Sequence, residues 1–282
     1  MQYKLSKRFP NKRVFITGGG GALGKAFSLL LAKDGWNIGI TDIQDAALEN
    51  AKKEIQAAGG TCHTYQFDVS DKAAYKTAFD DFVGKNGGID ILINNAGVGD
   101  GGLFGEYELE KWDWITGINQ MAVIYGSHYA TEVMKKQRSG LIITISSIAG
   151  VASMPNMSMY NVTKAAVLAL GESMYAEVKP FGIQVSVALP EFFRSGIMEQ
   201  AKGDANAKTI GIKKIEKAPF TPEEVAEIVL KESGDGKFYI MHPFKAKLAF
   251  FVRNRFPNFF LNKKYKDIMQ KKWMKERLKK SE

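Results

Sequence analysis

Along the first 240 residues, short β-prone runs alternate with longer segments of helical spacing, and no other feature limits the fold as strongly. Runs at 14–17, 37–41, 61–67, 89–93, 141–145, 183–189 and 238–241 read as strands. Between them, 22–33, 45–58, 72–83, 109–134 and 157–178 read as helices, and Thr221-Pro222 opens another with a capping threonine and a first-turn proline. Apolar strands separated by helices require a parallel sheet covered on both faces. The expectation is one doubly wound Rossmann-type α/β domain with a mostly parallel seven-stranded sheet. It spans 1–241 and is followed by a basic, aromatic-rich helical extension at 242–282. Residues 191–219 hold no strand and read as a lid or a disordered insertion.

Charge supports that division. Fourteen Lys/Arg and three Asp/Glu fall in 237–282, while 1–236 hold 25 basic and 27 acidic residues. The formal charge of +9 is therefore a property of the tail, and the body gives no reason to expect nucleic-acid binding. One cysteine, Cys62, cannot form an internal disulfide, and the chain reads as cytoplasmic. The charge-free stretch 139–163 has membrane-span length, but its five serines, two asparagines and proline mark a buried interior with an active site.

A glycine-rich turn, Thr17 to Gly24, joins the first strand to the first long helix. Such a turn lets backbone approach a pyrophosphate, and the helix N-terminus directs free N–H groups at the anion. Asp42 ends the next strand, where a carboxylate accepts hydrogen bonds from the adenosine ribose hydroxyls and repels a 2′-phosphate. No Arg or Lys lies between Gly18 and Gly24, and Ile43 follows Asp42, so NAD is favoured over NADP. His63, His128 and His242 share no ligand spacing, and no metal site is expected.

Taken together, the motifs resemble those of the short-chain dehydrogenase/reductase family from about residue 13 to residue 241. The TGxxxGxG loop is matched by Gly18, Gly21, Ala22, Leu23 and Gly24, with Ala22 in place of the usual middle glycine. Asp68-Val69 resembles the adenine-contacting pair, and Asn94-Asn95-Ala96-Gly97 the NNAG strand end. Asn119 falls where the family keeps a structural asparagine. Ser147 precedes Tyr160 by 13 residues, and Tyr160 and Lys164 form YxxxK. The chain departs at Pro190-Glu191, where the family has Pro-Gly, and Ser195 replaces a threonine that contacts the carboxamide.

The resemblance implies an NAD(H)-dependent oxidoreductase that interconverts a secondary alcohol and a ketone. Tyr160 and Lys164, four apart, share a helix face. An ammonium beside the phenol lowers the phenol's pKa, and the resemblance adds that Lys164 holds the nicotinamide ribose. Ser147 polarises the carbonyl, and Asn119 supports a water relay to Lys164. Association as a homodimer or homotetramer is also implied.

Phe192, Phe193, Ile197 and Met198, with Met154, Met157 and Met159, are candidates to line an apolar pocket for a lipophilic substrate. In the tail, aromatic residues alternate with cations, and a basic helix is expected over 262–278. That is the composition of a helix lying on an anionic membrane surface. Packing on the body or on a second subunit is the competing reading. A catalytically inactive, membrane-associated NAD-binding scaffold or redox sensor is the functional alternative.

Overall fold

The computed structural model describes residues 4–106, 108–202, 205–242, 244–271 and 274. Seven strands form one parallel sheet in the order β3-β2-β1-β4-β5-β6-β7. They are β1 (Arg13–Thr17), β2 (Asn37–Asp42), β3 (Thr61–Gln66), β4 (Ile91–Asn94), β5 (Gly140–Ile145), β6 (Ile183–Ala188) and β7 (Tyr239–Ile240). The strand order reverses between β1 and β4, which opens a crevice at their carboxyl ends.

Because every central strand is buried on both sides, successive residues serve two cores. Val14 and Ile16 enter one, with Phe27, Leu31 and Trp36; Phe15 enters the other, with Tyr75, Phe79 and Phe82. Full burial of each such side chain is worth about 1.5–3 kcal/mol. The helices on the body are α1 (Lys4–Arg8), α2 (Ala22–Ala32), α3 (Asp45–Ala57), α4 (Lys72–Asn86), α5 (Leu109–Thr116), α6 (Ala122–Gln137), α7 (Ala149–Ala152), α8 (Ser158–Val178), α9 (Ala205–Glu216) and α10 (Pro222–Gly234). Thr221 closes a full capping box with Glu224 at the start of α10.

Several elements differ from the sequence expectation. Helix α1 was not foreseen. It forms because Leu5 and Phe9, one turn apart, bury fully, while the Ser6 hydroxyl meets Asp34 and accepts from Trp36 Nε1 at 3.2 Å. The run 89–93 starts its strand at Ile91, and Asp90 just before it forks onto Arg13 at 2.8 and 3.1 Å. The single helix expected over 109–134 is two helices joined by a π turn, Gly117–Met121. The segment 191–219 contains α9.

Two further helices, α11 (Phe244–Arg255) and α12 (Pro257–Met269), form the extension. The break falls at Phe256-Pro257, since a proline disfavours helical backbone in the residue before it. Helix α11 packs against α7. The Phe250 ring lies 5.5 Å from that of Tyr239, and Lys264 donates to the Ser153 carbonyl at 2.9 Å. The basic helix thus begins earlier than expected, and most of its expected end, 272–278, lies outside the described residues.

Candidate active site

The carboxyl edge of the sheet collects the motif residues. After β1, the Thr17 hydroxyl accepts from the Asn95 and Ala96 amides, both at 3.0 Å, and Asn95 Nδ2 donates to the Thr17 and Gly18 carbonyls. This stitches the glycine turn to the end of β4. Gly18 has φ +65°, and a methyl there would approach Ala96 Cα to 2.9 Å. At Gly24 a methyl would meet the Gly18 carbonyl at 2.2 Å, so both positions require glycine. Gly21 and Ala22 are exposed at the start of α2, whose N-terminus no side chain caps. Uncapped amides at the mouth of a crevice form an anion site.

Sequence reasoning missed Gly19 and Gly20. A methyl at Gly19 would lie 2.5 Å from Ile40 Cβ, and the Gly20 amide donates to Asp42 Oδ2 at 3.2 Å. The second Asp42 oxygen accepts from the Gln44 amide at 3.1 Å. The Asp42 carboxylate is thereby fixed beside the turn, with Ile43 exposed next to it. After β3, Asp68 Oδ1 accepts from the amide and hydroxyl of Ser70, and Val69 is buried.

Helix α8 carries Tyr160 and Lys164, both buried. The Lys164 ammonium stands 5.7 Å from the centre of the Tyr160 ring and donates to the Ile145 carbonyl at 2.9 Å. Close packing holds it there. The Ser146 hydroxyl donates to the Lys164 carbonyl at 2.7 Å, and a methyl at Gly150 would lie 2.7 Å from the Lys164 carbonyl carbon. Ser147, which follows β5, accepts from the Ala149 amide at 3.1 Å. Its hydroxyl proton is left to donate, and Ser147 is the one polar side chain that acts on the Tyr160 phenol's pKa.

Electrostatics depart from the sequence expectation. Burial pushes the Tyr160 phenol up to about 12, and only the Ser147 side chain pulls it back. Burial also pushes the Lys164 ammonium down to about 8. Desolvation acts on both groups and penalises each charged form, so here it outweighs the lowering expected from the lysine.

Asn119 is fully buried within the π turn, a local form frequent at functional sites. Its side chain forks onto the Val98 amide and carbonyl at 2.8 and 2.9 Å and reaches Thr163 at 3.3 Å. Its visible work is to pin the loop after β4. A methyl at Gly97 would be 3.3 Å from both Asn119 Oδ1 and Lys164 Nζ, so these two side chains flank one point.

Around Tyr160, Val98, Ile115, Ala149 and Met159 form an apolar cluster, with Met157, Ile197, Trp112 and Trp114 packed against it. The two tryptophans were missed; their i, i+2 pairing shortly after the NNAG strand end was the available signal. Of the proposed pocket residues, Met157, Met159 and Ile197 join this cluster. Phe193 packs on the opposite core, because the sheet lies between, and Phe192 is exposed under the Lys214 ammonium. A methyl at Gly99 would meet the Met198 sulfur at 2.8 Å, so Met198 is buried against the backbone there. The Gly99 amide donates to the Ile197 carbonyl at 2.9 Å, tying the 191–219 segment to the loop after β4. The Pro190 carbonyl accepts from Ile148, and Ser195 is half-buried.

A doubly wound sheet with serine, tyrosine and lysine gathered at its carboxyl edge defines a dinucleotide-binding α/β class. More narrowly, the chain belongs to the short chain dehydrogenase family, whose model matches residues 12–206. It is 30% identical to a 3-oxoacyl-[acyl-carrier-protein] reductase of Thermotoga maritima, over 83% of this chain and 94% of that protein. It is 29% identical to a cyclohexanol dehydrogenase of Acinetobacter sp., over 81% of this chain and 90% of that one. A short chain dehydrogenase/reductase of Burkholderia phymatum in complex with NAD superposes with a TM-score of 0.80 at 27% identity, covering 86% of this chain and 93% of that chain.

Proposed function

We propose that this protein is an NAD(H)-dependent oxidoreductase that interconverts a lipophilic secondary alcohol and its ketone. The observation that carries the reading is the gathering of Ser147, Tyr160 and a buried Lys164, its ammonium 5.7 Å from the Tyr160 ring, at the carboxyl edge of the sheet. The uncapped start of α2, the two obligatory glycines and the fixed Asp42 fit a dinucleotide. Asp42 favours NAD over its 2′-phosphorylated form by charge. The relative crystallised with NAD supports the same choice.

When bound, the nicotinamide supplies or accepts the hydride. In reduction, Ser147 and Tyr160 both hydrogen-bond the substrate oxygen, and Tyr160 passes its proton to the nascent alkoxide. In oxidation Tyr160 takes the proton back. Lys164 offsets the phenolate charge formed at Tyr160, and Asn119 keeps the loop beneath Lys164 in place. Trp112, Trp114, Met157 and Ile197 give the substrate side an apolar character. The similarity to a dehydrogenase named for cyclohexanol agrees with that character.

The test is NADH formation by the full chain across secondary alcohols graded from short and polar to alicyclic and long-chain. The reading expects kcat/KM to rise with apolar size, each buried methylene adding up to about fourfold. Turnover confined to small polar polyols contradicts it.

A further inference from the structure

Six of the fourteen large apolar side chains that stand exposed among the described residues lie in one short stretch of the extension. They are Leu248, Phe251, Phe256, Phe259, Leu261 and Tyr265, each at least half exposed. These are not residues awaiting a place in the core. Phe250 and Phe260, on the same two helices, are the ones turned inward and half-buried. Phe250 packs by Tyr239, and Phe260 sits under the Lys264 ammonium, which holds the Ser153 carbonyl. The extension is therefore already docked, and its exposed apolar residues face outward by construction. Leu248 and Phe251 are one turn apart on α11, and Leu261 and Tyr265 one turn apart on α12.

Cations lie along the same stretch of chain. Across 244–269 the sequence carries seven Lys/Arg and one Asp, a net of +6, or +5 without Lys264, which is engaged on Ser153. That charge decides between occupants. A second copy meeting the same stretch would set positive charge against positive charge, and a basic protein partner would be repelled too. A polyanion satisfies the charges but leaves six apolar side chains in water. An anionic lipid surface accepts both, because cations stay among headgroups while aromatic and aliphatic side chains enter the acyl boundary.

We propose that α11 and α12 form a docking surface for anionic membranes, seated on the body beside the active site. The contact route is short: α12 holds Ser153 through Lys264, α11 packs on α7, and α7 follows directly on Ser147. Docking here sets the edge of the Ser147–Tyr160 cleft near the bilayer, where a lipophilic substrate would reside. The membrane contact itself does not depend on the oxidoreductase reading, since its test needs no turnover.

The experiment is co-sedimentation of the full chain with vesicles of phosphatidylcholine alone, or of phosphatidylcholine mixed with phosphatidylglycerol. At about 1 kcal/mol per basic residue near the surface, three engaged cations favour the anionic vesicles by about 100-fold. High salt should reduce that preference. The variant Phe251→Ser/Phe259→Ser changes only exposed side chains. It should lose about tenfold or more in vesicle partition while keeping its melting temperature. Equal partition to both vesicle types overturns the proposal. So does a double variant that still sediments fully, or one whose sole defect is lost self-association by light scattering or lost binding of a single-stranded oligonucleotide.

Discussion

The Lys164 ammonium lies 5.7 Å from the centre of the Tyr160 ring and is anchored on the Ile145 carbonyl at 2.9 Å, so the charge is fixed to the sheet rather than to solvent. Removing it should cost both chemistry and cofactor hold. Lys164→Met is expected to lower kcat by about 100-fold or more and to weaken NADH binding, read by fluorescence titration. A variant with unchanged kcat would remove Lys164 from the reaction.

The two burial-driven shifts fix a pH dependence. Lys164, pushed down to about 8, is charged below that pH, while Tyr160, pushed up to about 12, stays protonated across the neutral range. In the proposed mechanism reduction uses the phenol and the ammonium together. Its rate should be flat below pH 8 and fall about tenfold per unit above it. Oxidation uses the phenolate, so it should climb about tenfold per unit to pH 8 and then level, as the loss of ammonium cancels the gain in phenolate. Log kcat/KM against pH in both directions checks this. A break near pH 8 that survives in Lys164→Met contradicts the assignment.

Much of this arrangement could be read from the sequence. The unbroken apolar run at Val14, Phe15 and Ile16, together with the helical spacing of 22–33, dictated a parallel sheet covered on both faces. The glycine turn could be read as a pyrophosphate-facing loop, while the close contacts that bar a Cβ at Gly18 and Gly24 appear only in three dimensions. What stayed hidden depends on distance in three dimensions. The tie between Asn95 and Thr17 spans 78 residues, and the grip of Lys264 on Ser153 spans 111. Neither leaves a periodic trace. The balance between desolvation and charge at Tyr160 was misjudged for the same reason: spacing shows that a lysine is near, not how little water reaches the pair.

Asp42 is held by the Gly20 and Gln44 amides beside the glycine turn, and the proposed function sets its charge against a 2′-phosphate. Asp42→Ala should weaken NAD by about 10- to 100-fold, the loss of a charged acceptor, and should narrow the preference over NADP. Kd values for both cofactors by calorimetry decide it. Undiminished NAD affinity would mean that the carboxylate serves only the local turn.

At the opposite end of the sheet, Arg13 and Asp90 form a buried fork, 8% and 4% exposed. Breaking it strands a charge in the interior. Arg13→Met is expected to lower stability by about 3 kcal/mol or more in urea unfolding. Arg13→Met with Asp90→Leu should recover much of the loss, whereas a loss that the second substitution deepens would show that the pair is needed for more than charge balance.

The central claim is that the Tyr160 phenol carries the proton. Tyr160→Phe removes one oxygen from a packed site and leaves the cofactor crevice untouched. NADH-dependent ketone reduction by this variant should fall by about 10³-fold or more, with NADH affinity within about threefold of the parent. A Tyr160→Phe protein that turns over at a rate near the parent's would contradict the account.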